Sequence, residues 1–585
     1  SNSNYPSIRN LMEEYIVVVK DHQCLQSLYD DLETSGGTST VPERCVECCR
    51  RNPASRSTHY MLNQEEVEAL LNDDRVEGIG CKRELDQEIK VSLYEQQSDF
   101  FDKGAGNNSS HINWGLLRCT EGQNRYAWGA DGIPTQAGIA TVTQTGRNVD
   151  VVIVDTIIDA DDPEFAVNSD GTGGSRVVQY NWFQHNPQVT GGAVGTYDYG
   201  VIPSDNHGNH VAGTVAGNTQ GWARDANIYN FSPFGGDGVN NTNPDPSGAD
   251  TFEYILQFHL NKPVNPKTGK QNPTIINNSW GGILRRSRTP QSETDPAKFD
   301  YINHRGTVIE GPLTDAQLEQ YGVMDFTSSG GAFGAGEVTV GSYNNPGGTA
   351  AMVDCLNAGI LIFSSAGNSK YKIVKSGDPD FDNIYGGYST FSGSYRSNVL
   401  YHRGNYVATS GTTIIVGATN SAVVDAKRAF SDCGPAVGVY GPGTNIQSSG
   451  LFSGVPDPRN STYKRTKLNG TSMSCPQVTG VVACLLERYP EITQALGQSG
   501  YGGPKVATSN DVQDYIDEYW SKNQLLDTGG SYTDENSLQG GPNVYLKFQR
   551  EREYSGQMTP THKMWFVRPS SGNVWPRKPP TRYER

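Results

Sequence analysis

The stretch Asn-Gly-Thr-Ser-Met-Ser-Cys-Pro-Gln-Val-Thr-Gly, residues 469–480, precedes an apolar run that continues to Leu486. This pattern predicts a helix that begins near Ser472, with Pro476 in its first turn, where a missing backbone N–H costs little. The unpaired N–H groups and the positive end of the helix dipole favour an anion near such a serine. A nucleophilic serine that attacks a carbonyl group benefits from this field. A plain helix cap explains the same pattern, so other stretches decide between the two interpretations.

Two upstream stretches supply the groups that a nucleophilic serine needs. The first, Asp-Val-Val-Ile-Val-Asp-Thr-Ile-Ile-Asp at 150–159, predicts a buried strand that ends at Asp155. A carboxylate at the carboxyl end of a parallel strand lies where α/β folds place their chemistry. The second, Asp-Asn-His-Gly-Asn-His-Val-Ala-Gly-Thr-Val-Ala-Gly at 205–217, predicts a small-residue helix that begins at His207. His207 is the candidate general base, and His210, on nearly the same helix face, is its rival.

These stretches resemble, in chain order, the Asp, His and Ser signatures of the subtilisin-like serine proteases. A fourth stretch, Ile360–Asn368, resembles the strand and turn that carry the oxyanion asparagine of that family. A fifth, Ile275–Gly282, is similar to its substrate-pairing strand. The resemblance implies an α/β fold, a subtilisin-like parallel sheet flanked by helices.

The resemblance also implies a role for each matching residue. Ser472 would attack the scissile carbonyl, His207 would move the proton, and Asp155 would orient the imidazole. Asn368 and the backbone N–H of Ser472 would stabilise the oxyanion. An extended substrate would pair with the backbone of three residues, Ser279, Trp280 and Gly281. The implied activity is that of a serine endopeptidase acting on peptides or proteins, while a peptide ligase or an esterase would use the same residues.

The sequence departs from the family pattern near the first two motifs. Ile157 stands where a glycine is usual and could shift the turn that aims Asp155, and Asn209 stands where a threonine is usual. Residues 218–222 form too short a connection for the strong calcium site of secreted bacterial subtilisins. Calcium bound by the acidic run Asp159, Asp161 and Asp162 has no defined geometry in the sequence. Calcium is therefore kept only as an option without a clear site, and no organic cofactor is implied.

Residues 1–105 are predicted to form a separate α+β unit followed by a linker. A β-α-β-α-β order over 13–80, with a further strand left open, resembles the inhibitory, ferredoxin-like prodomain of the family. The resemblance implies that this unit assists folding and inhibits the cleft within the same chain. An unrelated ferredoxin-like binding module is the alternative. The polar linker over 82–110 is where a self-processing cut would fall, although the sequence does not define the bond.

Alternating strands and helices predict a catalytic domain over 106–550. Two insertions, near 283–348 and 369–408, are expected to be long loops beside the cleft. They would either narrow substrate access or face solvent without a role. The tail over 551–585 is rich in proline and basic residues, which is typical either of a partner-binding segment or of a flexible end.

Composition limits the other classes of function. The 47 basic and 63 acidic side chains give a net charge of −16, which argues against a general nucleic-acid binder. We found no apolar run long enough for a membrane span. Six of the ten cysteines precede residue 120, where Cys45, Cys48 and Cys49 suit either zinc or free thiols.

Two questions remain open from the sequence. The N-terminus shows no signal-peptide pattern, so a cytoplasmic protein, a component of a larger particle and a secreted protein whose signal was removed all fit. The functional rival to an active protease is a structural or assembly protein, in which an uncleaved prodomain silences a complete triad.

Overall fold

The structure is a computed structural model. It describes the following residues, to which all structural statements below refer: 12–34, 45–51, 55–81, 90–91, 95–96, 114–121, 142, 144–189, 195–200, 205–234, 243, 248–287, 299–310, 313–323, 337–340, 346–389, 394–409, 411–421, 424–488, 516, 520–530, 534 and 536–548.

The N-terminal unit is a four-stranded antiparallel sheet in the order β2-β3-β1-β4, with two helices. Its elements are β1 (Glu13–Val19), α1 (Cys24–Leu32), β2 (Cys48–Arg51), β3 (Ser57–Leu62), α2 (Gln64–Leu71) and β4 (Val76–Cys81). This is the β-α-β-β-α-β order of ferredoxin-like folds. The strand that the sequence left open is β2, in the cysteine-rich segment. Asn63 and Glu66 form the capping box that begins α2.

The main body is a nine-stranded sheet whose central strands are parallel. Its strands are β7 (Asp150–Val154), β8 (Val177–Val178), β9 (Asn227–Phe231), β10 (Thr274–Asn278), β15 (Leu361–Ser365), β18 (Ile414–Thr419), β19 (Val437–Pro442), β23 (Ser521–Lys522) and β24 (Val544–Tyr545). Its order is β23-β24-β19-β18-β15-β10-β7-β9-β8. This architecture confirms the predicted α/β fold.

Helices cover both faces of this sheet. The described helices of the main body are α3 (Trp114–Glu121), α4 (Trp182–His185), α5 (His207–Ala216), α6 (Gly248–Asn261), α7 (Asp315–Gln320), α8 (Pro346–Ala358) and α9 (Thr471–Arg488). Short 3₁₀ turns lie at Pro163–Phe165 and Pro187–Val189. No described helix is long and apolar enough to cross a membrane.

The sequence of strand β7 is a continuous apolar run because both faces of the strand are buried. Val151 and Ile153 pack on the side of the sheet that carries α5 and α9, whereas Val152 and Val154 pack on the side that carries α6 and α8. A strand buried on both faces has no solvent side, so it needs no polar alternation.

The two insertions contain regular structure, which corrects the expectation of long loops. The described strands here are β11 (Gly282–Ser287), β12 (Phe299–His304), β13 (Thr307–Glu310), β14 (Glu337–Val340), β16 (Ile384–Ser389) and β17 (Ser394–Leu400). Strands from both insertions join in one antiparallel sheet, in the order β13-β12-β16-β17. The pairing of β12 with β16 connects segments that are far apart in sequence, which a local pattern cannot reveal.

The remaining described strands lie around the linker and the nucleophile motif. They are β5 (Lys90–Val91), β6 (Glu95–Gln96), β20 (Ile446–Gly450), β21 (Val455–Pro456) and β22 (Lys464–Asn469). The whole tail over 551–585 lies outside the described residues. Cys355, Cys433, Cys475 and Cys484 are buried free thiols, as expected for small core residues.

A buried carboxylate joins the two insertions. Asp380 is fully buried, and its carboxylate accepts hydrogen bonds from Lys372 Nζ at 2.6 Å and from Arg305 Nη2 at 3.0 Å. The Asn383 amide donates a third bond at 3.1 Å. Burial alone would raise the pKa of Asp380, but the bonds from Arg305 and Lys372 outweigh it and hold the pKa well below its usual range.

We expect Asp380→Asn to lower the free energy of unfolding by roughly 3 kcal/mol at neutral pH, at the low end for a broken buried ion pair because Arg305 is half exposed. The folded-state pKa is depressed, so the contribution is present above the unfolded pKa of about 3.9 and is lost as the pH falls towards the folded value. Thermal melts of wild type and variant should therefore converge below about pH 4. Asp382→Asn is the matched control, because Asp382 is 92% exposed, and a comparable loss there would contradict the assignment.

Candidate active site

Three parallel strands end at one edge of the sheet and place polar groups side by side. β7 ends just before Asp155, and β10 ends just before Ser279. β15 leads through a short turn to Asn368. The register pairs Asn278 with Val154 on one side and with Ser364 on the other, so the three strand ends are level.

Asp155 and His207 form a buried pair. The Asp155 Oδ1 and His207 Nδ1 atoms lie 2.6 Å apart, and both side chains are fully buried. The Thr156 hydroxyl accepts a bond from the Gly208 N–H at 2.8 Å and donates to Asp205 Oδ1 at 3.1 Å. Asp205 Oδ1 also accepts the His207 N–H at 2.8 Å. These contacts connect the turn after β7 to the first turn of α5, and so they orient the imidazole.

The two departures from the family pattern are accommodated without separating this pair. Ile157 packs into the apolar core with Trp182 and Phe231. Asn209 accepts the Asp159 N–H at 2.9 Å, so it fixes the loop that follows Asp155. The turn that carries Ile157 still brings Asp155 to His207.

Ser472 is held by a reciprocal pair of hydrogen bonds with Ser279. The Ser472 hydroxyl donates to the Ser279 carbonyl at 2.7 Å, and the Ser279 hydroxyl donates to the Ser472 carbonyl at 2.9 Å.

Ser472 is the second residue of α9, as the sequence predicted. Pro476, however, lies inside the helix and not in its first turn, so the expectation for Pro476 was wrong. In a regular helix the N–H of residue 476 would bond to the Ser472 carbonyl, and the proline leaves that carbonyl to Ser279.

Asn368 is oriented by the residue before the serine. Its Oδ1 accepts bonds from the Thr471 N–H and from the Thr471 hydroxyl, each at 2.9 Å. This arrangement leaves the amide Nδ2 as the donor of Asn368. Gly470, with φ of 152°, makes the sharp turn that brings Thr471 to this position.

His210 occupies a different environment from His207. Its Nε2 lies 2.8 Å from the Ile446 carbonyl and 3.2 Å from the Thr466 carbonyl. Burial lowers the pKa of His210 to about 3, so the ring is neutral and donates to backbone acceptors. These contacts give His210 a structural role.

The predicted substrate-pairing strand is supported from behind by the second insertion. The Trp280 ring packs against Phe234 and Tyr406, with centroid separations of 5.5 Å in each case. A Cβ atom at Gly281 would lie 2.5 Å from Asn405 Cγ, so only glycine fits there. The end of the insertion near 369–408 therefore forms part of the site.

The N-terminal unit is docked on α6 and α8 by charged side chains. The Arg50 guanidinium binds the Asp250 carboxylate, with Nη1 and Oδ2 at 2.9 Å. The Arg56 guanidinium binds Asp354 at 3.1 Å and the Ala350 carbonyl at 3.2 Å. Strands β1 and β4 pack on α8 beside these contacts.

No group of three or more His, Cys, Asp or Glu side chains converges on a metal position in the described residues. Asp162, one of the three acidic residues considered for calcium, hydrogen-bonds to the Ser449 hydroxyl, and burial raises its pKa to about 7. Cys24, Cys45, Cys48 and Cys49 are free thiols. The predictions on calcium and zinc stay predictions.

The sequence over residues 146–499 matches the model of the subtilase family, peptidase S8. The chain belongs to the subtilase family. Membership makes it a serine protease and places it among the hydrolases. The α/β fold and the order of the motifs agree with this assignment.

Several known subtilases are similar to this chain. Subtilisin-like protease 3 of Arthroderma otae is 24% identical over 488 residues, which cover 82% of this chain and 84% of that protein. The subtilisin of Bacillus pumilus is 38% identical over 90 residues, 15% of this chain and 28% of that protein. Fervidolysin of Fervidobacterium pennivorans, a keratinolytic enzyme, covers 94% of this chain and 61% of its own at 16% identity and a TM-score of 0.47. A cold adapted subtilisin-like serine proteinase covers 75% of this chain and 98% of its own at 18% identity and a TM-score of 0.37.

Sequence reasoning missed several residues that position the subtilase site. Thr471 holds Asn368, while Thr156 and Asp205 orient the start of α5. Each of them lies inside a quoted motif, so a signal was present, but the partner of each lies in another motif. Asn405 lies in an insertion and left no recognisable pattern.

The pH dependence of activity should separate the two histidines. A group whose pKa is about 3 does not titrate near neutrality, so we expect His210→Gln to keep the acid limb of the kcat/KM profile. Its amide can still donate to the Ile446 carbonyl, while the protein becomes less stable. His207→Gln should abolish the activity that the profile measures. Loss of the acid limb in His210→Gln would contradict this assignment.

Proposed function

We propose that this subtilase is a serine endopeptidase whose triad is Asp155, His207 and Ser472. The observation that carries the proposal is the contact of 2.6 Å between Asp155 and His207, at the same sheet edge as a serine held on a helix N-terminus. A buried carboxylate beside Nδ1 selects the tautomer whose Nε2 can accept a proton.

In this mechanism Ser472 Oγ attacks the scissile carbonyl while His207 takes its proton. His207 then returns the proton to the leaving amine, and water hydrolyses the acyl-enzyme. Asn368 Nδ2 and the backbone N–H of Ser472 donate to the oxyanion. The backbone of 279–281 pairs with the substrate as an added strand.

The N-terminal unit acts in this proposal as an intramolecular inhibitor. Three observations support it: the unit is docked on α6 and α8, Arg50 and Arg56 bind carboxylates of those helices, and His207 and Ser472 have at most 1% exposure. In this proposal the form described here is the latent one, and in the alternative of a structural or assembly protein the N-terminal unit is never released.

We expect Ser472→Ala to remove peptidase activity and Asn368→Ala to lower kcat by roughly 100- to 1,000-fold with little change in KM. The measurement is hydrolysis of casein and of a fluorogenic peptide by the full chain after the N-terminal unit has been released. Ser474→Ala is the control, because its hydroxyl donates to the Gly441 carbonyl and takes no part in the proposed site. Activity that survives in Ser472→Ala would refute the proposal.

We expect the double variant Arg50→Met, Arg56→Met to weaken docking of the N-terminal unit. Removing one partner of a buried charge pair costs about 2 kcal/mol or more, which is roughly 30-fold in affinity. The lag before peptidase activity appears should shorten in the variant. Arg75→Met is the matched control, because Arg75 pairs with Asp31 and Asp73 inside the unit. An unchanged lag in the double variant would contradict the inhibitory role.

A further inference from the structure

The turn that carries Asn368, residues 367–371, is bound by a second segment of the chain, residues 430–434. This second segment lies between β18 and β19, far from the turn in sequence. Three backbone hydrogen bonds of 2.9 to 3.0 Å connect the two: the N–H groups of Lys370, Asp432 and Cys433 donate to the carbonyls of Phe430, Gly367 and Tyr371, respectively. The position of the turn therefore depends on a tertiary contact and not only on the strand that precedes it.

The carboxylate of Asp432 lies against this turn. Its Oδ1 accepts hydrogen bonds from the Ser369 N–H at 2.8 Å and from the Tyr371 N–H at 2.9 Å. Lys370, between those two residues, has a φ of 60°, a conformation that residues other than glycine rarely adopt. A left-handed residue inside a turn directs neighbouring N–H groups to one side, where they form an anion-binding concavity. A buried carboxylate of the same chain fills that concavity.

The same carboxylate also lies beside the residue that precedes Asn368. A Cβ atom at Gly367 would collide with Asp432 Oδ2, so only glycine allows the carboxylate to approach the backbone this closely. The two oxygen atoms of Asp432 therefore lie next to the backbone immediately before and immediately after Asn368. The backbone on both sides of the asparagine is thereby fixed by one side chain.

The side chain of Asn368 is held by a different residue, Thr471. Besides the two bonds to Asn368 Oδ1, the Thr471 hydroxyl accepts the Gly367 N–H at 3.1 Å. Thr471 thus orients the Asn368 amide relative to α9, while Asp432 fixes the backbone from which that amide projects. An oxyanion donor has to lie about 2.7 to 3.1 Å from the position of the oxyanion, so a shift of either support would weaken it.

We propose that Asp432 is a positioning residue for the oxyanion hole and that it acts through the backbone of residues 367–371. The inference rests on the proposed function, which it deepens by naming a further residue on which the Asn368 donor depends. Asp432 does not touch substrate in this proposal. Its carboxylate accepts the N–H groups of the turn and so keeps Asn368 Nδ2 directed at the oxyanion. The role requires an acceptor in the right place, which asparagine would keep and alanine would remove.

The test is a double-mutant cycle on kcat with Asn368→Ala, Asp432→Ala and the combined variant. We expect Asp432→Ala to lower kcat roughly 10- to 100-fold with little change in KM, because a catalytic group displaced by about 1 Å loses much of its effect. In the Asn368→Ala background the same substitution should change kcat by less than about 3-fold, since the donor that it positions is already absent.

The measurement is hydrolysis of a fluorogenic peptide by the full chain after the N-terminal unit has been released. Each rate is divided by the number of active sites that a fluorophosphonate probe titrates, so that loss of folded protein does not count as loss of kcat. Asp150→Ala is the matched control, because Asp150 is also buried and its carboxylate binds Lys262 at the start of β7. Its kcat per active site should equal that of wild type.

Two further variants separate position from charge and from folding. Asp432→Asn should keep kcat within about 5-fold of wild type, because its amide oxygen can accept the same N–H groups. Asp432→Ser, which is too short to reach both N–H groups, replaces Asp432→Ala in the cycle if alanine prevents folding, with the same expected fall.

The outcomes distinguish this inference from the proposed function. An unchanged kcat in Asp432→Ala, or an equal fall in both backgrounds, would overturn the positioning role and leave the protease function standing. A fall in Asp432→Asn as large as that in Asp432→Ala would overturn it as well. If Asn368→Ala keeps the wild-type kcat, Asn368 is not the oxyanion donor, and both the positioning role and that part of the proposed function fail.

Discussion

The reciprocal hydrogen bonds between Ser279 and Ser472 connect the two halves of the site. Ser279 directly follows the central strand β10 and Ser472 is the second residue of α9, and each hydroxyl donates to the carbonyl of its partner. The position of the proposed nucleophile is therefore fixed relative to the strand proposed to bind substrate, and not only relative to its own helix. Pro476 makes this possible, because it leaves the Ser472 carbonyl without its helical donor.

The sequence predicted the main sheet and the residues brought together at its edge because their signals are local. A continuous apolar run ending in Asp155 and a small-residue helix after His207 can each be interpreted without knowledge of the rest of the chain. Pro476 was misplaced although the start of the helix was predicted to within one residue, because a first turn of about 3.6 residues counted from Thr471 or Ser472 ends before residue 476. Thr471, by contrast, was overlooked because its partner, Asn368, lies about a hundred residues away. Pairings such as those of β5 and β6 depend on register between distant segments, which a single sequence does not encode in any local pattern.

The burial of the candidate triad and the docking of the N-terminal unit describe the same state of the molecule. Arg50 and Arg56 hold the unit on helices that support the sheet, while β5 pairs with β11 and β6 pairs with β22. Under the proposed inhibitory role, inhibition and substrate binding would use the same backbone edges.

The sheet formed by β12, β13, β16 and β17 makes each insertion structurally dependent on the other. β12 and β16 are neighbours in that sheet although they come from different insertions. Removing either insertion alone would leave the other with an unpaired strand edge, and such edges promote aggregation. Shortening of this subtilase during evolution would therefore require both segments to be lost together, or an edge strand to be blocked by proline or charge before its partner disappears.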